Sequence, residues 1–334
     1  MDKRMIDIDK LLKEPQRGNI RYFPLGMLND EYAKIIAAMA NTADGSIILG
    51  IEDDGVDLHV KGFPFESPNR NEIVNLLNGF TKFSISRTSY DQKKLIVIEI
   101  DKAINGLKYH GDYLKFQNDY DNSVMAIEQV NVFISYNQKI SELGDILQDK
   151  LEEEYSFKVK VNRDTELNYK DNIKEFMKSI KRNDVIISLV SGSYLKSEAC
   201  MYEMYELTKD DNYKSKLIFI ILNKSDKSLF KKNIPSLDDL VADVYSANRF
   251  DYMQFWKNVS EEYKERWENL KDNSDTAGGL QREITTVGRI ISSTDKFIEM
   301  LNQSLGTNFS QMKKDNFKEL KSLIDAQYDK KNLG

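Results

Sequence analysis

Residues 183–207, NDVIISLVSGSYLKSEACMYEMYEL, decide the fold. Val185, Ile186, Ile187, Leu189 and Val190 form a nearly unbroken apolar run, as expected of a strand covered on both faces. Gly192 and Ser193 break the run. Ser197 is the expected N-cap of a following helix, and Glu198 suits its first turn, near the positive end of the helix. Cys200, Met204 and Leu207 recur at helical spacing and mark a buried stripe. Glu203 lies at the edge of that stripe, beside the mouth at the C-terminal end of a parallel strand. Ligands in open α/β sheets bind at such mouths.

On either side the pattern alternates between strand and helix. Strands are predicted at 129–135 (QVNVFIS), 157–161 (FKVKV) and 216–222 (KLIFIIL), with an edge strand at 241–245. Helices are predicted at 140–154, 169–180 and 200–208, and from residue 251 onward. Such alternation over about 140 residues implies a doubly wound parallel sheet, a flavodoxin-like α/β domain. Neither GxGxxG nor GxxxxGK[ST] occurs on this sheet, so a dinucleotide fingerprint and a P-loop are absent.

The preceding residues 1–125 read as an α+β unit. A helix is expected at 32–40 (YAKIIAAMA), a strand at 46–51 (SIILGI), a second helix at 72–77 and a strong strand at 94–100 (KLIVIEI). A hairpin is expected around Gly111. Residues 118–123 (NDYDNS) read as a linker. Beyond the sheet, 272–279 (DNSDTAGG) reads as a loop, followed by amphipathic helices at 285–305 and 312–328. Ile291, Ile298 and Leu301 mark one face of the first, and Phe317, Leu320 and Leu323 one face of the second. These last helices read as a hairpin packed on the body or on a neighbouring subunit.

Composition narrows the class. The chain has 334 residues, 31% of them charged and 40% hydrophobic, with a formal net charge of -6. This fits a globular protein with no general attraction to nucleic acid or anionic membrane. The single cysteine, Cys200, rules out an intramolecular disulfide, and two histidines, His59 and His110, cannot build a histidine-rich metal site. No metal site is expected. The charged N-terminus lacks the apolar core of a signal peptide, and no apolar run spans a bilayer, so the expected location is the cytoplasm.

Four local signatures together resemble the TIR domain. Residues 132–136 (VFISY) resemble its first box, and Arg163-Asp164 fall where its second box places Arg-Asp. Residues 191–207 resemble its Ser, Tyr, Ser-x-x-Cys-x-x-Glu segment, and Phe255-Trp256 its third box. The resemblance runs from about Glu128 to Trp267. Two positions depart from it: Leu167-Asn168 stand where a glycine is usual, and Ala199 where a tryptophan often precedes the cysteine. An aromatic wall is then expected from Tyr194 or Tyr202. Earlier, AAMANTADGSIILGIEDDGVDLHVKGF resembles the AlbA-like domain of Schlafen proteins, through Ala40, Asn41, Thr42, Gly45, Gly50, Ile51, Glu52, Asp53, Gly55 and Gly62. The family's Glu-Ser and Glu-Phe-Lys signature is missing before the first helix, where 14–25 reads EPQRGNIRYFPL. The organisation expected is therefore an AlbA-like domain over 1–125, a TIR domain over 126–270 and a helical C-terminal extension over 271–334.

The resemblance implies a chemistry. Enzymatic TIR domains cleave NAD+ between nicotinamide and ribose, and carry a glutamate three residues after the cysteine position; Glu203 matches it. Cleavage develops positive charge on the ribose, and a pre-placed carboxylate stabilises that charge. Nicotinamide leaves as a neutral molecule and needs no acid, so one carboxylate can suffice without a metal or a cofactor, NAD+ being the substrate. The expected catalytic residue is Glu203; Glu206 is its solvated rival. The expected substrate contacts are Phe133, Ser135, Tyr136, Arg163, Asp164, Tyr194, Ser197 and Cys200. Competing roles stand beside them: core packing for Phe133, turn hydrogen bonding for Ser135, a subunit contact for Arg163, loop capping for Asp164 and plain burial for Cys200. The expected partners are NAD+, further copies of the chain in a homo-oligomer that switches the enzyme on, and a phage-derived trigger or partner protein, as for an effector of anti-phage defence. The alternatives are a non-catalytic TIR scaffold and a nucleic-acid sensor. Residues 1–125 hold 16 Lys+Arg against 19 Asp+Glu with no basic stripe, which counts against the sensor.

Overall fold

The computed structural model describes residues 6–119, 121–163, 180, 182–207, 209, 215–270, 274–303 and 308–333, with the backbone alone over 274–278. Two compact units divide the chain, Met1–Glu128 and Gln129–Gly334.

The first unit is a β-rich α+β fold. Its helices are α1 (Ile8–Lys13), α2 (Asn29–Thr42) and α3 (Arg70–Asn75). Its strands are β1 (Ile20–Phe23), β2 (Gly45–Leu49), β3 (Ile51–Asp53), β4 (Leu58–Val60), β5 (Leu77–Asn78), β6 (Phe83–Tyr90), β7 (Lys93–Ile100), β8 (Lys108–Tyr109), β9 (Asp112–Phe116) and β10 (Val124–Ala126). The main sheet has the order β1-β2-β7-β6, with β1 parallel to β2 and the rest antiparallel. The expected strand at 46–51 breaks at Gly50, whose φ of 96° suits only glycine, and resumes as β3. The hairpin at Gly111 turns through His110 and Gly111, both at positive φ. Asn118 and Asp121, within the expected linker, are held to the rest of the first unit. The buried Arg21 side chain donates to the carbonyls of Asn118 and Asp121 and stacks on Phe116, tying this segment to β1. The acidic turn after β3 is used internally. Asp53 accepts two bonds from the Arg17 guanidinium, and Asp54 accepts from the Val56 and Asp57 amides and lies 2.8 Å from His59.

The second unit is built on a parallel sheet of β11 (Val130–Tyr136), β12 (Val159–Arg163), β13 (Val185–Val190) and β14 (Leu217–Ile221), in the order β12-β11-β13-β14. Its helices are α4 (Ser141–Tyr155), α5 (Gly192–Leu195), α6 (Glu198–Leu207), α7 (Leu237–Leu240), α8 (Arg249–Leu270), α9 (Ser274–Gln303), α10 (Phe309–Lys314) and α11 (Lys318–Asn332). The helix expected at 169–180 lies almost wholly outside the described residues. The expected edge strand at 241–245 does not form. Ala242 donates one bond to Leu222, and the chain then turns tightly, Val244 donating to Ala242.

Side chains alternate across this sheet. Val132, Ile134, Tyr136, Val185, Ile187 and Leu189 face α4, α10 and α11, whereas Phe133, Ile186 and Val190 face α5, α6, α8 and α9. The C-terminal helices are thus no hairpin; they cover opposite faces of the sheet. α9 starts at Ser274, within the expected loop, and Val287, Ile290, Phe297, Ile298 and Leu301 bury its stripe, while Ile291 stays 37% exposed. The last helical stretch breaks at Phe317, which adopts φ 54° and places its ring edge-on to Phe309 at 5.7 Å. That break lets Phe309, Met312 and Leu320 reach the same core. Lys331 clasps the sheet by donating to Asp184 and to the Gln129 carbonyl.

Candidate active site

β11 and β13 run parallel and end level, with Ser135 opposite Ser188 and Tyr136 opposite Leu189. After β13 the chain forms α5 and α6 over the face to which Phe133 and Ser135 point. Ser191 caps α5 by accepting from the Tyr194 amide at 3.0 Å. Gly192 seats the helix: a methyl group there would overlap the Asp238 carbonyl and lie 2.8 Å from the Val241 carbonyl. The Trp256 indole donates to the Leu195 carbonyl at 2.9 Å and holds the helix from the side of α8. Ser197 then caps α6 by accepting from the Cys200 amide at 3.4 Å, as expected from its position.

This framework brings three polar side chains together. The Ser135 hydroxyl donates to Glu203 Oε2 at 2.7 Å and lies 3.1 Å from the Tyr194 hydroxyl. Ser135, Tyr194 and Glu203 are 1%, 0% and 4% exposed. A carboxylate withdrawn from water this far is costly unless hydrogen bonds compensate it. Burial pushes the Tyr194 phenol well above its ordinary range, with Cys200 and Glu203 adding to the effect, so it stays a neutral hydroxyl. Glu206, one turn further along α6, pairs instead with Lys209.

The other sequence-derived candidates divide sharply. Phe133 and Cys200 are buried on the same face as Glu203, within its apolar surround. Tyr136 points the opposite way and packs on Gly144 of α4. Arg163 also turns toward α4 and pairs with Asp145. Neither joins Glu203, because neighbouring strand residues alternate between faces. Asp164 lies outside the described residues. Tyr194 is fully enclosed, and Tyr202 is directed at α9, where its hydroxyl accepts from Arg289 at 3.4 Å, so neither forms an open aromatic wall. Sequence reasoning missed the seating roles of Gly192 and Trp256, one read as a strand breaker and the other as part of the third box. A glycine directly after the capping Ser191, at the first position of the helix, was the available signal.

Two known families match parts of this chain. Residues 132–270 match the TIR domain family. A second match, to the Schlafen AlbA_2 family, covers residues 20–127, so the two domains stand in the order expected. The TIR match ends where α8 ends, although the compact unit continues through α11. A TIR domain supports an NAD+-cleaving or a signalling-scaffold role, and such domains commonly self-associate. An AlbA domain suggests nucleic-acid binding. No curated protein matches the chain. Among solved structures, the DIP2311 protein from Corynebacterium diphtheriae aligns at 14% identity with a TM-score of 0.28, over 36% of this chain and 26% of that one. That likeness is too loose to bear on fold or function. Among the described residues, no helix is long and apolar enough to cross a membrane, and no group of His, Cys, Asp or Glu could hold a metal ion.

Proposed function

We propose that this chain is an NAD+ glycohydrolase in which Glu203 acts on the ribose. The observation that carries the reading is the buried Glu203 carboxylate, fixed by Ser135 at the C-terminal end of a parallel sheet, inside the TIR match. In the reaction the bond between the ribose anomeric carbon and the nicotinamide nitrogen breaks. The electron pair returns to the pyridinium ring, which leaves neutral. The sugar becomes oxocarbenium-like, and the adjacent carboxylate stabilises it electrostatically. Water then adds to the anomeric carbon and releases a proton, giving ADP-ribose; attack by the adenine ring would give a cyclic product instead. Removing water strengthens the field of the carboxylate at the sugar, which suits a residue held this deep. In this reading the enzyme works as a homo-oligomer, and draining cellular NAD+ is its contribution to anti-phage defence.

Nicotinamide release from the concentrated full-length protein tests this. Glu203→Gln keeps the volume and removes the charge. It is expected to cut release by at least about a hundredfold, the scale of losing a main electrostatic stabiliser. Measurable release that is equal from Glu203→Gln and wild type overturns the reading.

A second reading, nucleic-acid binding through the first unit, rests on the AlbA_2 match. Titration of labelled DNA and RNA at rising salt tests it, with affinity falling steeply as salt rises.

A further inference from the structure

We infer that Tyr194 and Ser135 form a hydrogen-bond chain that aims the Glu203 carboxylate, and that neither contacts the substrate. The inference rests on the Glu203 reading above and deepens it. The polarity of the chain follows from counting protons. Ser135 has one hydroxyl hydrogen, and it goes to Glu203 Oε2. The 3.1 Å contact between Ser135 and Tyr194 can then use only the phenol hydrogen. In the inferred chain Tyr194 donates to Ser135 and Ser135 to Glu203; Ser188, whose own hydroxyl is directed at Met204 Sδ 3.8 Å away, is the competing acceptor for the phenol hydrogen. Each donor polarises the next, so the bond reaching the carboxylate is stronger than an isolated serine would make.

The elements that hold the chain show its purpose. Tyr194 is wholly enclosed, so its hydroxyl is withheld from any ligand. Its position is set from three sides. Ser191 binds its amide, Gly192 sits against the carbonyls of Asp238 and Val241, and Trp256 binds the next carbonyl, that of Leu195. Ser188 on β13 also faces the phenol. Three segments far apart in sequence, 191–195, 238–241 and 256, thus fix one oxygen atom, and that oxygen meets Ser135. A packed phenylalanine would fill the same space without the hydroxyl, which makes the hydroxyl the informative group. Orientation errors of this kind act on the transition state more than on substrate affinity.

The test is a double-mutant cycle in nicotinamide release, with kcat and KM for NAD+ measured on the full-length chain. Ser135→Ala removes a bond to a charged group and is expected to lower kcat about ten- to hundredfold with KM little changed. Tyr194→Phe keeps the ring and the fold, and is expected to lower kcat about three- to tenfold. The double variant is expected to match Ser135→Ala alone, because Tyr194 acts only through Ser135. Ser135→Thr keeps a hydroxyl and is expected to recover most of the loss. Multiplicative losses, or a rise in KM at constant kcat, would make these residues substrate contacts and overturn the inference. A gain in kcat would mean that the chain holds Glu203 back, and also overturns it. Unchanged kinetics in these variants beside a dead Glu203→Gln sinks the chain alone; unchanged kinetics in Glu203→Gln sinks the function with it.

Discussion

The two faces of the parallel sheet in the second unit are built from adjacent residues of the same strands, yet they do different work. Under α4, α10 and α11 the sheet presents Val132, Ile134, Val185, Ile187 and Leu189. Under α5, α6, α8 and α9 it presents Ser135 and buries a tyrosine hydroxyl and a carboxylate against it. One face supplies apolar stability, and the other spends some of it on buried polar groups. The VFISY motif straddles this divide, since Ser135 joins Glu203 while Tyr136 packs on α4. A motif contiguous in sequence is therefore not contiguous at the site.

The largest effect that could sharpen this contrast comes from removing what covers both faces. Ending the chain after Leu270 deletes α9, α10 and α11, and uncovers core residues on either side of the sheet. The second unit is expected to lose cooperative unfolding in a thermal melt, although the TIR match itself would be intact. A cooperative transition in that truncation would show that the helices are an accessory.

Next comes a change confined to the apolar face. Leu320→Ala opens a cavity where the side chain is fully buried, and is expected to cost about 2–5 kcal/mol in denaturant titrations. Nicotinamide release per folded molecule should hold. Gly192→Ala is the counterpart on the polar face. Its methyl group meets two carbonyls, so α5 must shift, at a stability cost of about 1–3 kcal/mol. Release should fall by more than that loss of folded protein explains. If Leu320→Ala damages turnover of the folded protein more than Gly192→Ala does, the division between the faces fails.

The smallest effect concerns Glu198, whose pKa is raised by burial and by Glu283 of α9. A carboxyl group with a raised folded pKa holds its proton longer in the native state. Stability is therefore lost as pH rises from the ordinary glutamate value through the raised one. Glu198→Gln is expected to be more stable than wild type at pH 7, by less than about 1 kcal/mol because the group is partly solvated. The gap should close below about pH 4, where the unfolded glutamate is also protonated. Melts at both pH values check this; a gap that widens in acid would reverse the sign.

Much of this molecule was legible in order along the chain. The apolar run at 185–190, the alternation of strands and helices, and the spacing from Cys200 to Glu203 are local patterns. Hydrophobic periodicity reports them because each residue's face is set by backbone geometry alone. The short strand β1 and the clasp of Arg21 on Asn118 and Asp121 were not legible, since both depend on partners about 25 to 100 positions away. Which face each helix covers was equally hidden. A 3.6-residue stripe shows that a helix is covered, but not by what, so α9 and α11 read as a pair although the sheet lies between them. Chain order alone could nominate Glu203; only packing in three dimensions could join it to Ser135 and Tyr194, and part it from Tyr136 and Arg163, because hydrogen bonds and burial depend on distance in space.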